Sequence, residues 1–223
     1  MIIGLGFKAR TGKGEVASWL VRRHGFIEVA FADALKRACV EIFGLTESQV
    51  YGDQKDRLDP FWDDTPRNIL QKVGTECLRR GYRDDVWIKA LEREIRDPAS
   101  PETVDADWVV SDCRFPNECE AIHEWGGKLV RIERPDAPSI ATGQHASETA
   151  LERWCGWHYQ LINNLTLDDL HAKVDIMLEV LRRNPADDDL SLKGPAGSWR
   201  PAQVGVGPAA EILDVLLKNK KGA

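Results

Sequence analysis

A chain of 223 residues, 43% hydrophobic and 30% charged, is long enough for one α/β domain with an appendage. Its formal net charge of −6 argues against a general binder of nucleic-acid polymers, and no run approaches the roughly 20 apolar residues of a membrane span. The five cysteines are odd in number with no C-x-x-C pair and read as reduced thiols; the apolar start before Lys8 is too short for a signal peptide, so the sequence points to the cytoplasm.

Ile2 to Leu5 reads as a short first strand, and Lys13 to Arg23 as a helix with Val16, Ala17, Leu20 and Val21 on one face. Between them runs Gly4-Leu-Gly-Phe-Lys-Ala-Arg-Thr-Gly-Lys-Gly-Glu15, which has the character of a phosphate-binding loop. In the pattern G-x-x-x-x-G-K-[ST] the backbone amides cradle phosphate, the lysine reaches the β/γ oxygens and the hydroxyl holds magnesium. Thr11-Gly12-Lys13 supplies the Gly-Lys pair. Counting back from Gly12, however, Phe7 stands at the usual glycine with Gly6 one residue further off, and Gly14-Glu15 replaces the hydroxyl. Lys13 adds its ammonium to the positive end of the helix it opens and is assigned to the β/γ-phosphates. Lys8 and Arg10 either assist it or face water.

Phe26 to Phe31 reads as a second strand, and Ala34 to Phe43 as a helix ending at Gly44, a residue suited to a left-handed cap. Thr65 is placed as the N-cap of a helix with Pro66 in its first turn, running through Ile69, Leu70 and Val73. Another helix begins near Asp85 and carries Val86, Leu91 and Ile95, followed by a polar loop to Asp107. Trp108-Val109-Val110 is a strand that ends at Ser111-Asp112, which puts a carboxylate at the ligand-facing edge of a parallel sheet. Pro116 to Trp125 is a helix closed by Gly126-Gly127, Lys128 to Ile132 a strand, and Tyr159 to Ile162 a last strand. A helix then starts at Thr166, capped together with Asp169, and ends near Asn184.

Strands alternating with helices build a mostly parallel sheet covered on both faces, a three-layer α/β/α domain over residues 1–184. The Pro, Gly and Asp content of Pro185 to Gly207 reads as a linker or surface wrap, and Pro208 to Lys218 as a short amphipathic helix that docks on its own core or on a partner. A homodimer is compatible with the sequence.

Several blocks then acquire a common meaning. Gly12-Lys13, Phe31-Ala-Asp-Ala-Leu-Lys36, Leu70-Gln-Lys-Val-Gly-Thr-Glu76, Asp85-Val-Trp87, Ser111-Asp-Cys-Arg-Phe-Pro-Asn-Glu118, Arg131-Ile-Glu-Arg-Pro135, His145-Ala-Ser-Glu148 and Ile162-Asn-Asn164 occur in that order. The ordered set, spanning residues 1 to about 182, resembles the bacteriophage deoxynucleoside monophosphate kinases. The resemblance implies an adenylate-kinase-like P-loop fold with a helical acceptor-binding insertion and a lid. It also implies an ATP- and magnesium-dependent transfer of the γ-phosphoryl group to a deoxynucleoside monophosphate, in the host cytoplasm if the chain is of phage origin.

Phosphoryl transfer demands positioning of two polyanions and neutralisation of charge on the moving group. Asp112 and Glu15 are the expected magnesium residues, with Asp112 alternatively capping the Pro116 helix and Glu15 alternatively repelling the phosphates by its charge. Arg114 contacts phosphate or pairs with Glu118. Asp33, Lys36 and Arg67 fall where the acceptor would lie, although Asp33 also suits a cap. Trp87 and Trp62 either stack on a base or belong to the core. Arg131 and Arg134 flank Glu133 before a flexible stretch leading to His145 and Glu148, a layout that suits a lid with arginines on the developing charge; Glu148 is expected to orient an arginine. Asn163 and Asn164 read adenine or form a turn. Two other readings stand: a non-catalytic nucleotide-binding protein, prompted by Phe7, Gly14 and Glu15, and a P-loop kinase for another small metabolite.

Overall fold

Short apolar segments separated by helices leave the strands no hairpin partners, so they pair in parallel through crossovers. A computed structural model of the chain describes residues 1–96, 106–136 and 149–183. Within them β1 (Ile2–Gly6), β2 (Ile27–Val29), β3 (Trp108–Cys113), β4 (Lys128–Glu133) and β5 (Tyr159–Ile162) form one sheet in the order β2-β3-β1-β4-β5, with every pairing parallel. The order puts β1 in the middle, bonded to β3 on one side and to β4 on the other.

The side-chain period of two sorts the strands between two cores. Ile3, Leu5, Val109, Val130 and Ile132 face α1 (Lys13–His24) and the last helix, α7 (Leu167–Arg182), where Val16, Leu20, Val174 and Met177 complete a fully buried cluster. Val29, Trp108, Val110 and Leu129 face the other way. There they meet α2 (Asp33–Phe43), α5 (Val86–Ile95) and α6 (Pro116–Glu124) through Leu35, Cys39, Leu91 and Ile122. The expected three-layer α/β/α architecture is therefore what forms. Among the described residues no helix is long and apolar enough to cross a membrane, and all five cysteines are free.

Two sequence boundaries move. The second strand is three residues rather than the expected six, because the amides that would prolong it are taken by carboxylates: Ala30 N donates to Asp33 at 2.8 Å, and Phe31 N and Ala32 N donate to Asp112 at 2.8 and 3.1 Å. The helix from Thr65 changes its winding. α4 (Pro66–Gln71) is capped as expected, with the Thr65 hydroxyl accepting from Asn68 N at 3.2 Å, but Lys72–Arg80 continues as a wider π-helix. Such bulges gather at functional sites. Here the wide turns bury Thr75 and Arg79 and press Gly74 onto Leu35, whose Cδ2 would lie 2.6 Å from any β-carbon at that position. α3 (Glu47–Val50) and a 3-10 turn at Asp53–Asp56 fill the connection between α2 and α4, which the sequence left unassigned. The lid stretch with His145 and Glu148, and the tail with its helix at 208–218, lie outside the described residues.

Thr166 and Asp169 form the reciprocal cap at the start of α7, the hydroxyl accepting from Asp169 N at 3.3 Å and the carboxylate from Thr166 N at 3.2 Å. Thr166→Ala should cost about 1 kcal/mol in urea-induced unfolding, the usual loss for an N-cap hydroxyl. An unchanged midpoint would remove this cap from the forces holding α7.

Candidate functional site

Three strand ends meet at one edge of the sheet, those of β1, β3 and β4, and they deliver most of the expected residues together. β1 ends at Gly6, where any β-carbon would lie 2.6 Å from the Trp157 ring, and the chain then turns through positive φ at Phe7 (93°), Arg10 (60°) and Gly12 (102°). Thr11 is buried beneath the loop, its hydroxyl donating to Lys8 O at 3.1 Å. Lys13 folds its ammonium over the same turn onto the carbonyls of Lys8 and Phe7, the latter at 3.4 Å. Lys8 pairs with Glu152 at 3.4 Å.

Asn163 has a different place from the one expected. Its Nδ2 donates to Thr11 O at 3.0 Å and would lie 2.6 Å from a β-carbon at Gly12, so the side chain braces the loop from the end of β5. Glu15 also departs from expectation. Its carboxylate accepts from His171 at 2.8 Å and from Arg22 at 3.0 Å, and the His171 hydrogen bond, with Arg22 against the opposing cost of burial, holds its carboxyl below the usual value. Near the start of α1 the carboxylate is thus turned toward His171 of α7. Gly14 faces open space.

On the other side of β1, the register places Arg131 beside Gly6. Its guanidinium lies 3.9 Å from the Phe7 ring centroid and pairs with Glu133, while Arg134 is exposed just beyond β4.

A cavity of about 150 Å³ opens next to the loop, between the ends of β2 and β3 and the helices α2 and α4. Phe31, Leu35, Val50, Leu70, Trp87 and Phe115 supply apolar wall, and Lys36, Lys55, Arg67 and Arg114 bring cationic side chains to it, with Arg79 a fifth. Lys36 is held by Asp33 at 3.2 Å and lies 4.4 Å from the Tyr51 ring centroid. Arg67 makes a two-pronged contact with Asp56 at 2.5 and 3.1 Å. Burial, and then the charges of Lys36, Arg67 and Arg114, push the Lys55 ammonium below its ordinary value. Burial and neighbouring cations together disfavour the charged ammonium, so an anion in the cavity would relieve it.

The inner wall is a buried ion pair between Arg79 and Glu118. Glu118 also accepts from the backbone amides of Arg114 at 2.8 Å and Phe115 at 3.1 Å; burial pushes its carboxyl up to about 7 against the pull of Arg79 and these amides. Arg79 donates further to Asp84 O at 3.1 Å and Asn117 at 3.2 Å, and stacks 4.0 Å from the Phe115 ring centroid. Trp87 belongs to the core, as one of its two expected readings has it: it is 8% exposed, donates to Gly74 O at 3.0 Å and also forms cavity wall. Trp62 instead donates to Phe43 O at 2.9 Å on the outer surface.

Asp112 does not cap α6; that amide work falls to Glu118. Its two oxygens accept one amide each, from Phe31 and Ala32, and so tie the end of β3 to the turn that leads into α2 and Lys36. Among the described residues no group of three or more His, Cys, Asp or Glu is arranged to cage a metal ion. Lys55, Arg79, Gln71 and Thr75 line the cavity as well, and the sequence analysis did not single them out. Gln71, Thr75 and Arg79 follow at steps of four, a polar stripe that was there to be read.

Scanned against models of protein families, the chain matches none. It is 39% identical over 186 residues to a protein of Acanthamoeba polyphaga mimivirus with the provisional name deoxynucleotide monophosphate kinase, a match covering 78% of this chain and 94% of that one. The deoxynucleoside-5'-monophosphate kinase of Escherichia phage T5 is 30% identical over 127 residues, 52% of this chain and about half (48%) of that relative's length. Among solved structures, the dephospho-CoA kinase of Campylobacter jejuni aligns with 81% of this chain and 96% of its own, at 14% identity and a TM-score of 0.44.

The Glu15 contacts carry a pH signature. A carboxyl whose folded value lies below 4.5 contributes stability that is complete above 4.5 and is lost as the pH falls through the folded value. Glu15→Gln should lower stability at pH 7 by a few tenths of a kcal/mol, the scale of a partly exposed pair, and the gap to the parent should close in acid. A gap that persists unchanged at acid pH would assign the effect to packing.

Proposed function

The chain belongs to the deoxynucleotide monophosphate kinase family, and from that premise we propose that it moves the γ-phosphoryl group of ATP onto a deoxynucleoside 5′-monophosphate, giving ADP and the diphosphate. The observation that carries this reading is the pairing, on one sheet edge, of a phosphate loop with an apolar slot whose cations include Lys36, Lys55, Arg67 and Arg114. A base fits apolar and aromatic walls, with Gln71, Thr75 and Arg79 offering polar atoms. A phosphate fits the cations.

In this reading Gly12, Lys13 and the amides at the start of α1 receive the donor phosphates. Lys36, Lys55 and Arg67 hold the acceptor phosphate, and Arg114 and Arg131 face the charge that develops on the transferred group. Asp112 keeps a lone pair on each oxygen beyond its amide contacts, which suits it to hold, through water, a magnesium ion that arrives with ATP. That ion neutralises phosphate charge. An alcohol acceptor would call for a free general base, whereas the cavity's carboxylates, Asp112 and Glu118, are both engaged with backbone amides. A monophosphate oxygen needs no such base, which favours a nucleotide acceptor over another metabolite.

An assay of ADP release over all deoxynucleoside and ribonucleoside monophosphates, with and without magnesium, tests the proposal. ADP should appear only when a monophosphate is present, and Lys13→Ala should abolish it. Lys55→Met should raise the KM for the monophosphate by about tenfold or more, in line with a lost charge-assisted hydrogen bond, and leave the KM for ATP in place. Folded protein that releases no ADP above background with any monophosphate would overturn the reading.

A further inference from the structure

Phe7 occupies the position where phosphate loops usually have glycine, and its backbone is of the kind glycine supplies, with φ at 93°. A side chain is rarely accepted in that region, and it persists where its surroundings impose it. What surrounds it here is charge. The Phe7 ring centroid lies 3.9 Å from the Arg131 guanidinium and 5.5 Å from the Lys8 ammonium. Arg131 sits opposite Gly6 in the β1–β4 register, so it leaves the sheet beside the first residue of the loop. On its other side Glu133 accepts from Arg131 Nε at 2.6 Å, and Glu133 is itself held by Gln160 at 3.0 Å. A ring face and a carboxylate thus grip one guanidinium from two directions. Arg131 is only partly exposed, a setting in which attraction between cation and ring is stronger than at an open surface.

We infer that Phe7 is a positioning residue: its ring holds the Arg131 guanidinium at the mouth of the phosphate loop, where the transferred group passes. A loop with glycine at this place leaves the arginine to Glu133 alone, free to pivot about the carboxylate. The aromatic side chain therefore replaces close backbone approach by a fixed cation. The inference rests on the donor-site reading of the loop given above.

The test is a cycle of Phe7→Leu, Arg131→Ala and the double variant, with Phe7→Tyr as the conservative control. Phe7→Leu keeps an apolar side chain and the strained backbone but removes the ring face. Its kcat should fall roughly tenfold, with the KM for both nucleotides within about twofold of the parent. Phe7→Tyr should retain kcat, and the double variant should be no slower than Arg131→Ala. Unchanged kcat in Phe7→Leu, losses that multiply in the double variant, or a Phe7→Tyr as slow as Phe7→Leu would each overturn the inference. Should the parent protein turn over no monophosphate at all, the donor-acceptor reading fails separately. ADP affinity by calorimetry on the same proteins then decides: non-additive losses support the Phe7–Arg131 coupling and additive ones sink it.

Discussion

Everything at this site depends on β1 having no free edge. β3 and β4 bond to it on both sides, and its alternate side chains are committed to two separate cores. A strand so enclosed has one degree of freedom left at its end, the direction in which the chain leaves. That exit is shared with the ends of β3 and β4, so Phe7, Asp112, Arg114 and Arg131 are brought together by backbone pairing alone. No specific contact among them is needed to assemble the edge; contacts only refine it.

The acceptor side is built on a different principle. Its walls come largely from α2, α4, the π-helical turns and α6, which belong to no sheet; Leu35, Cys39 and Ile122 pack α2 and α6 on the strands, and polar ties fix the ends. Asp112 ties β3 to the start of α2, and the Arg79–Glu118 pair ties the π-helical turns to α6 while engaging the amides of Arg114 and Phe115 and the carbonyl of Asp84. Buried pairs of this kind contribute little net stability against an apolar alternative, while a partner left alone is costly. Their effect is to make one arrangement of the cavity wall much better than its neighbours, which is what a pocket for a defined ligand requires.

Local chemistry was legible in the sequence where local chemistry decides. Thr65 and Thr166 cap their helices because a hydroxyl next to free amides has few competitors, and β5 lies at the expected residues because its neighbours are turns. The loop's Gly-Lys and the cations Lys36, Arg67 and Arg114 were also readable from residue type and order. What escaped was set by partners far along the chain. Nothing near Glu15 announces His171, and nothing near Asn163 announces Thr11, since each pair is more than 150 positions apart. Lys55 was missed because a lysine between polar neighbours reads as surface until the α3 region folds it toward three other cations. The π-helical turns escaped because nothing in Lys72–Arg80 marks the wider winding locally; it accompanies the close packing of Gly74 on Leu35.

The tie between Glu15 and His171 bears on how such a chain can change. In the common loop a hydroxyl follows the lysine; here that neighbourhood has been given to an interhelical contact that also engages Arg22 and lies against the Trp19–His171 stack. A substitution of Glu15 breaks a joint between the first helix and the last, and one that discards His171 leaves the carboxylate without its imidazole partner. The position directly after the lysine is Gly14, which faces open space, so a hydroxyl fits there without touching that joint. The identity of residue 15 is thus a property of two helices and not of one loop.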